Sequence, residues 1–146
     1  MQTTPETILL VDDEPEVRTV IRDVLELNGY TVLEAGDATE AAKVEAGVAG
    51  PIDLLLTDVV MPGLSGPDLA RRLTPRRPRM KVIYMTGFSL VDIKNQQIGL
   101  EPGVPILPKP FRVDVLTKKV RGVLAEPVAS RSNPFAPASP FAPARR

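Results

Sequence analysis

The sequence predicts a parallel, doubly wound α/β sheet of five strands with helices on both faces. Three observations point there. Short apolar runs alternate along the chain with stretches of helical periodicity, the pattern of repeated β-α-β crossovers. The runs are continuously apolar, as strands buried on both faces are. Four of them also end in chemically different polar groups. Ile8 to Val11 runs into Asp12, Asp13 and Glu14, and Leu54 to Thr57 runs into Asp58. Val82 to Met85 runs into Thr86 and Gly87, and Val104 to Leu107 runs into Pro108, Lys109 and Pro110. Open α/β sheets bind ligands beyond the carboxyl ends of their strands, so these endings share one edge.

The elements follow in order. Residues 6–11 form the first strand, and Pro15 suits the first turn of a helix. Val17, Val20, Ile21, Val24 and Leu25 then recur at helical spacing until Asn28 and Gly29 stop it. Residues 30–34 form a second, shorter strand. Residues 38–47 are Ala/Glu-rich and helical with a thin apolar face. Residues 52–57 form the third strand, closed by the Met61-Pro62-Gly63 turn. Ser65 caps a helix over 67–73, with Asp68 at capping-box spacing. Residues 81–85 form the fourth strand. The stretch 89–97 has few apolar positions and predicts only a short helix. Residues 103–107 form the fifth strand, placed at the sheet edge because Pro105 lacks a ladder donor. The last helix covers 113–125, with Leu116, Val120, Val123 and Leu124 on one face and the poor cap Arg112 at its start. Residues 1–126 are thus the folded domain. Residues 127–146 are half proline and alanine and nearly repeat NPFAPA as SPFAPA, which predicts a disordered tail. The two tail phenylalanines offer docking anchors, but a solvated linker end is the preferred reading.

Composition removes whole classes of chemistry. The chain has no cysteine and no histidine, which excludes disulfides, thiolate nucleophiles, imidazole bases and imidazole metal sites. Carboxylates, hydroxyls and ammonium groups remain. No apolar run reaches the ~20 residues that span a bilayer, and MQTTPET has neither the basic nor the apolar part of a secretion signal. The expectation is a cytoplasmic protein with no membrane partner. Net charge is zero but divided: residues 1–68 hold 3 basic and 14 acidic groups, residues 69–126 hold 12 and 4. Arg71, Arg72, Arg76, Arg77, Arg79 and Lys81 have no interleaved aromatics, so nucleic acid is not the expected partner.

Three carboxylates at one edge, Asp12, Asp13 and Asp58, repel one another and call for a cation. Oxygen-only ligands with open positions suit Mg²⁺. Lys109 is a mobile point charge that can meet a phosphoryl oxygen, and Thr86 offers a hydroxyl. Carboxylate nucleophiles do form aspartyl phosphates. The set fits a phosphoryl group held on an aspartate, with metal and ammonium offsetting its charge.

Four motifs in order, LLVDDE (9–14), LLLTDVVMPG (54–63), YMTG (84–87) and PKPF (108–111), closely resemble the receiver domain of bacterial two-component response regulators. The resemblance covers about residues 6–125. It implies a flavodoxin-like strand order 2-1-3-4-5. It implies Asp58 as phosphoacceptor and Asp13 as a direct Mg²⁺ ligand, with Asp12 acting through water. The backbone carbonyl of Val60 is the remaining ligand, Thr86 the switching hydroxyl and Lys109 the conserved amine. It also implies a cis Lys109–Pro110 bond, a histidine kinase or histidine phosphotransfer protein as donor, and a downstream reader. On this reading the chain is a signalling phosphoacceptor, not an enzyme.

There are departures. Ile106 stands where the family often carries an aromatic switch residue, which shifts the expected signal path to Thr86 and the 89–97 segment. Val60 and Phe88 carry no group to orient an attacking water, so the phosphoryl group is expected not to be short-lived. No output module is expected. Residues 6–37 look like a hybrid-kinase receiver, whereas Met1 and the tail favour a stand-alone regulator. Other classes remain as alternatives. An aspartate-nucleophile phosphatase would need an acid where Val60 stands. A flavin binder would need a phosphate loop where Asp12-Asp13-Glu14 stands. A degenerate receiver would only bind partners.

Overall fold

The computed structural model describes residues 4–87, 100 and 103–127. Strands β1 (Thr7–Val11), β2 (Thr31–Ala35), β3 (Leu54–Asp58), β4 (Lys81–Thr86) and β5 (Ile106–Pro108) form one parallel sheet in the order β2-β1-β3-β4-β5. Helices α1 (Pro15–Leu27), α2 (Ala38–Ala46), α3 (Gly66–Leu73) and α4 (Val113–Ala125) cover it on both sides. The doubly wound fold and its strand order are as the sequence predicts. The 89–97 helix and the tail beyond 127 lie outside the described residues. No helix among the described residues is long and apolar enough to cross a membrane.

Strand pleating explains the unbroken apolar runs. Alternate side chains leave opposite faces of a strand, so a run apolar at every position feeds two cores. Leu9, Val11, Leu55, Val82 and Tyr84 pack with Ala38 and Ala41 of α2 and with Leu69, Ala70 and Leu73 of α3. Ile8, Leu10, Leu54, Leu56, Ile83 and Met85 pack on the other face with Ile21 and Leu25 of α1 and with Leu116, Val120 and Val123 of α4. Val20 is the exception in α1, 58 % exposed despite its helical spacing.

Boundaries moved by a residue or two, and by three at the start of β5, which was expected from 103 and begins at Ile106. β2 starts at Thr31 because the Tyr30 amide still donates to Leu25 at the end of α1. It runs on to Ala35, whose carbonyl accepts from Asp12. β3 includes Asp58, paired in register with Met85. β5 is short and at the edge. Pro105 precedes it, and its carbonyl accepts from Tyr84. The expected Ser65 cap is present, its Oγ accepting from Asp68 N, and Arg112 gives α4 no side-chain cap, as expected; Asp37, not singled out in the sequence, caps α2 by accepting from Glu40 N.

At the amino edge of the sheet Arg71, Arg76, Arg77 and Lys81 of the basic cluster are engaged in structure. Glu45 of α2 is buried and held by Arg76 at 3.0 Å and Arg77 at 2.8 Å. Arg77 also donates to the carbonyls of Glu45, Val48 and Gly50, closing the end of α2. Lys81 is buried, and its ammonium donates to the carbonyls of Val123, Leu124 and Glu126 where α4 ends. Arg71 pairs with Asp68 on the surface.

Removing one partner of a buried pair leaves an uncompensated charge and costs about 3 kcal/mol or more. Arg77→Ala leaves Glu45 only the exposed Arg76 and strips three carbonyls of their donor, and is expected to lower unfolding free energy in urea by about 3 kcal/mol, whereas Arg71→Ala changes it little. Equal losses for the two variants would refute the buried strap.

Candidate functional site

The site is assembled by strand register. Val11 pairs with Thr57, Asp58 with Met85, and Thr86 with Pro108, so the strands run out at one level. Asp12, Asp58, Thr86 and Lys109 are carried there by four different strands. The Lys109 amide donates to the Thr86 carbonyl at 2.7 Å, tying the last two endings together. The Lys109–Pro110 peptide is cis, as the sequence implied.

All the predicted residues converge. Carboxylate oxygens of Asp12, Asp13 and Asp58 lie within 4.8 Å of one another. Lys109 Nζ sits 2.9 Å from Asp12 Oδ2 and 2.8 Å from Asp58 Oδ1, with Glu14 farther off at 3.6 Å. The other Asp12 oxygen accepts from the Glu14 amide at 2.8 Å, closing the turn that leads into α1. Asp13 is exposed at the rim. Asp13, Asp58, Val60, Thr86, Gly87 and Lys109 line a cavity of about 300 Å³, open to solvent. Thr86 is buried at its floor, and the Val60 side chain is exposed. Ile106 lies away from it, packed against the core on the α2/α3 side.

Burial dominates the electrostatics. Asp58 is only 6 % exposed, and desolvation pushes its carboxyl pKa up to about 7. Lys109 pulls the other way, and Asp12 adds to the rise. Burial works against the Lys109 ammonium, but its hydrogen bonds to Asp58 and Asp12 outweigh that and raise its pKa. One ammonium thus faces three carboxylates. The donors are all oxygen, and hard divalent cations such as Mg²⁺ take such ligands. The residues present fit that ion by charge and donor type.

A family model, the response regulator receiver domain, matches residues 8–121. The chain belongs to this family. Among its relatives, the sensor kinase CckA of Brucella abortus is 36 % identical over 118 residues, which are 81 % of this chain and 12 % of CckA. The response regulator receiver protein CpdR of the same organism is 34 % identical over 117 residues, 80 % of this chain and 95 % of CpdR. The chain therefore spans a small part of the first relative and nearly all of the second. The crystal structure of the receiver domain from the hybrid histidine kinase CckA is 37 % identical, with a TM-score of 0.67 over 80 % of this chain and 96 % of that one. The response regulator protein TrrA of Thermotoga maritima, in complex with Mg²⁺-BeF, is 30 % identical, with a TM-score of 0.64 over 80 % and 97 %.

Two residues of this receiver escaped the sequence reading. Gly66 opens α3 against the back of the site. A Cβ there would stand 2.0 Å from the Asp58 carbonyl oxygen, and the Gly66 amide donates to Val59 at 2.8 Å. A glycine ahead of a helix-starting proline was the available signal of close approach. Arg18 of α1 donates to the Asp12 carbonyl at 2.6 Å. Nothing local in the sequence marks Arg18 for this contact.

Asp58 holds its proton to higher pH in the folded state than in the unfolded one. Its ionisation therefore weakens folding progressively from the ordinary carboxylate range up to about 7, and fully above that. In buffer free of divalent ions, Asp58→Asn is expected to raise the melting temperature at pH 8 and leave it near wild type at pH 4. An unchanged or lower value at pH 8 would show that burial strain at Asp58 is absent. Gly66→Ala must displace backbone and is expected to lower the melting temperature at both pH values, while Gly50→Ala, with open space around it, leaves it largely unchanged. Equal melting temperatures for the two glycine variants would remove the close approach.

Proposed function

We propose that this receiver accepts a phosphoryl group on Asp58 from a phosphohistidine of a histidine kinase or histidine phosphotransfer protein, with Mg²⁺ bound, and that the changed surface is read by a partner. The observation that supports this most is the convergence of Asp12, Asp13, Asp58 and Lys109, with Asp13, Asp58 and Lys109 opening onto one small cavity and Asp12 buried behind it. The family and the Mg²⁺-BeF complex of TrrA point the same way.

In this reading Asp12, Asp13, Asp58 and the Val60 carbonyl hold the ion, directly or through water. When bound, it offsets the crowded negative charge and polarises the transferred phosphoryl oxygens. An Asp58 oxygen attacks phosphorus, the P–N bond to the donor imidazole breaks, and the imidazole leaves with the bonding pair. Lys109 now faces Asp58 and Asp12. After transfer its ammonium meets a phosphoryl oxygen, and the Thr86 hydroxyl supplies a further donor. Val60 carries no polar side-chain group to steer water, which supports a phosphoryl group that persists. Phe88, the second position in that argument, lies outside the described residues.

Residues 1–126 act as the signalling unit, located in the cytoplasm, and 127–146 as its appendage. Two kinds of relative leave two contexts, a stand-alone regulator like CpdR and the receiver part of a kinase like CckA.

Incubation with acetyl phosphate and Mg²⁺ is expected to add one phosphoryl group per wild-type chain by intact mass, and none to Asp58→Asn. Mg²⁺ alone is expected to raise the melting temperature, because the acidic cluster exists only when folded. Equal labelling of both proteins would move the acceptor elsewhere. Release of inorganic phosphate without a labelled chain would favour the phosphatase alternative.

A further inference from the structure

The geometry points to Arg18 as the residue that sets the acidic pair for metal binding, a positioning role that rests on the metal reading above. Arg18 extends from α1 and uses two different nitrogens on two different elements. Nη1 donates to the Asp12 carbonyl at 2.6 Å, and Nε pairs with Glu34 Oε1 on β2 at 3.2 Å. The second Glu34 oxygen is held by Arg22 Nη1 at 2.9 Å. Glu34 is therefore fixed from both sides and cannot swing away with Arg18.

The acceptor is the informative part. The Asp12 carbonyl belongs to the peptide joining Asp12 to Asp13, the two carboxylates that face Asp58. On the other side of Asp12, its amide donates to the Ala35 carbonyl at 3.1 Å. Arg18 completes the anchoring by holding the next peptide plane, from which both side chains are aimed. Gly36 leaves room for this: a Cβ there would come within 3.2 Å of Arg18 Nη1.

Charge and position predict opposite signs. Acting only as a nearby positive charge, Arg18 repels Mg²⁺, and removing it tightens binding. Acting as a bracket, it holds the ligands in place, and removing it weakens binding. Residues that orient metal ligands typically contribute 10–100-fold in affinity. Lysine keeps the charge but has one nitrogen, so it cannot span Asp12 and Glu34 together.

The test is calorimetric titration of MgCl₂ into wild type, Arg18→Ala and Arg18→Lys, well below the melting temperature of each, which is measured alongside. The expected result is a dissociation constant about tenfold higher in both variants, with no rescue by lysine. Unchanged or tighter binding in Arg18→Ala, or full rescue by lysine, overturns the positioning role while the metal reading stands. A wild-type chain that takes up no Mg²⁺ overturns both.

Discussion

The site is governed by the short contacts from Lys109 Nζ to Asp58 and Asp12, set against three carboxylates crowded around one ammonium. A buried carboxylate resists ionisation, and here burial outweighs the lysine, so Asp58 exchanges its proton around neutral pH rather than in the ordinary carboxylate range. The cluster is poised between proton and cation. That imbalance makes a divalent ion a physical complement to the site, and it makes the charge on Asp58 depend on what else is bound. A fully compensated cluster would have no such dependence.

The scaffold converts sequence order into this arrangement through strand register. Parallel strands pair so that their carboxyl ends are level; β1 then contributes Asp12 and Asp13, and β3, β4 and β5 contribute Asp58, Thr86 and Lys109. The Lys109-to-Thr86 backbone bond and the Arg18-to-Asp12 bond hold the endings in place from either side. Gly66 lets α3 start directly beneath Asp58.

The strands, their order and the meeting of Asp12, Asp13, Asp58, Thr86 and Lys109 at one edge were legible because the relevant signals are local: apolar runs, a helical period, and polar residues just past each run. The endings also matched a family in sequence order. What stayed hidden was non-local. Nothing near Glu45 marks it for burial against Arg77, thirty-two residues on. Lys81 reads as a strand-flanking cation until the end of α4 is laid against it. Val20 has core spacing but faces outward, since periodicity places a residue on a stripe without saying how wide the covered stripe is. The edges of β2 and β3 shifted because backbone acceptors, which carry no sequence signature, decide where a ladder starts.

The amino edge of the sheet has its own consequence. Glu45 is strapped to Arg77, Lys81 is locked onto the end of α4, and Asp53 accepts from the Thr7 amide at 2.7 Å. This rim behaves as a stiff foundation, with polar groups too costly to unpair. Mechanical strain introduced at the opposite rim has no yielding partner there, and it must relax among the loops nearest its origin. A small lever at one end of a β-sheet is useful only when the other end does not give.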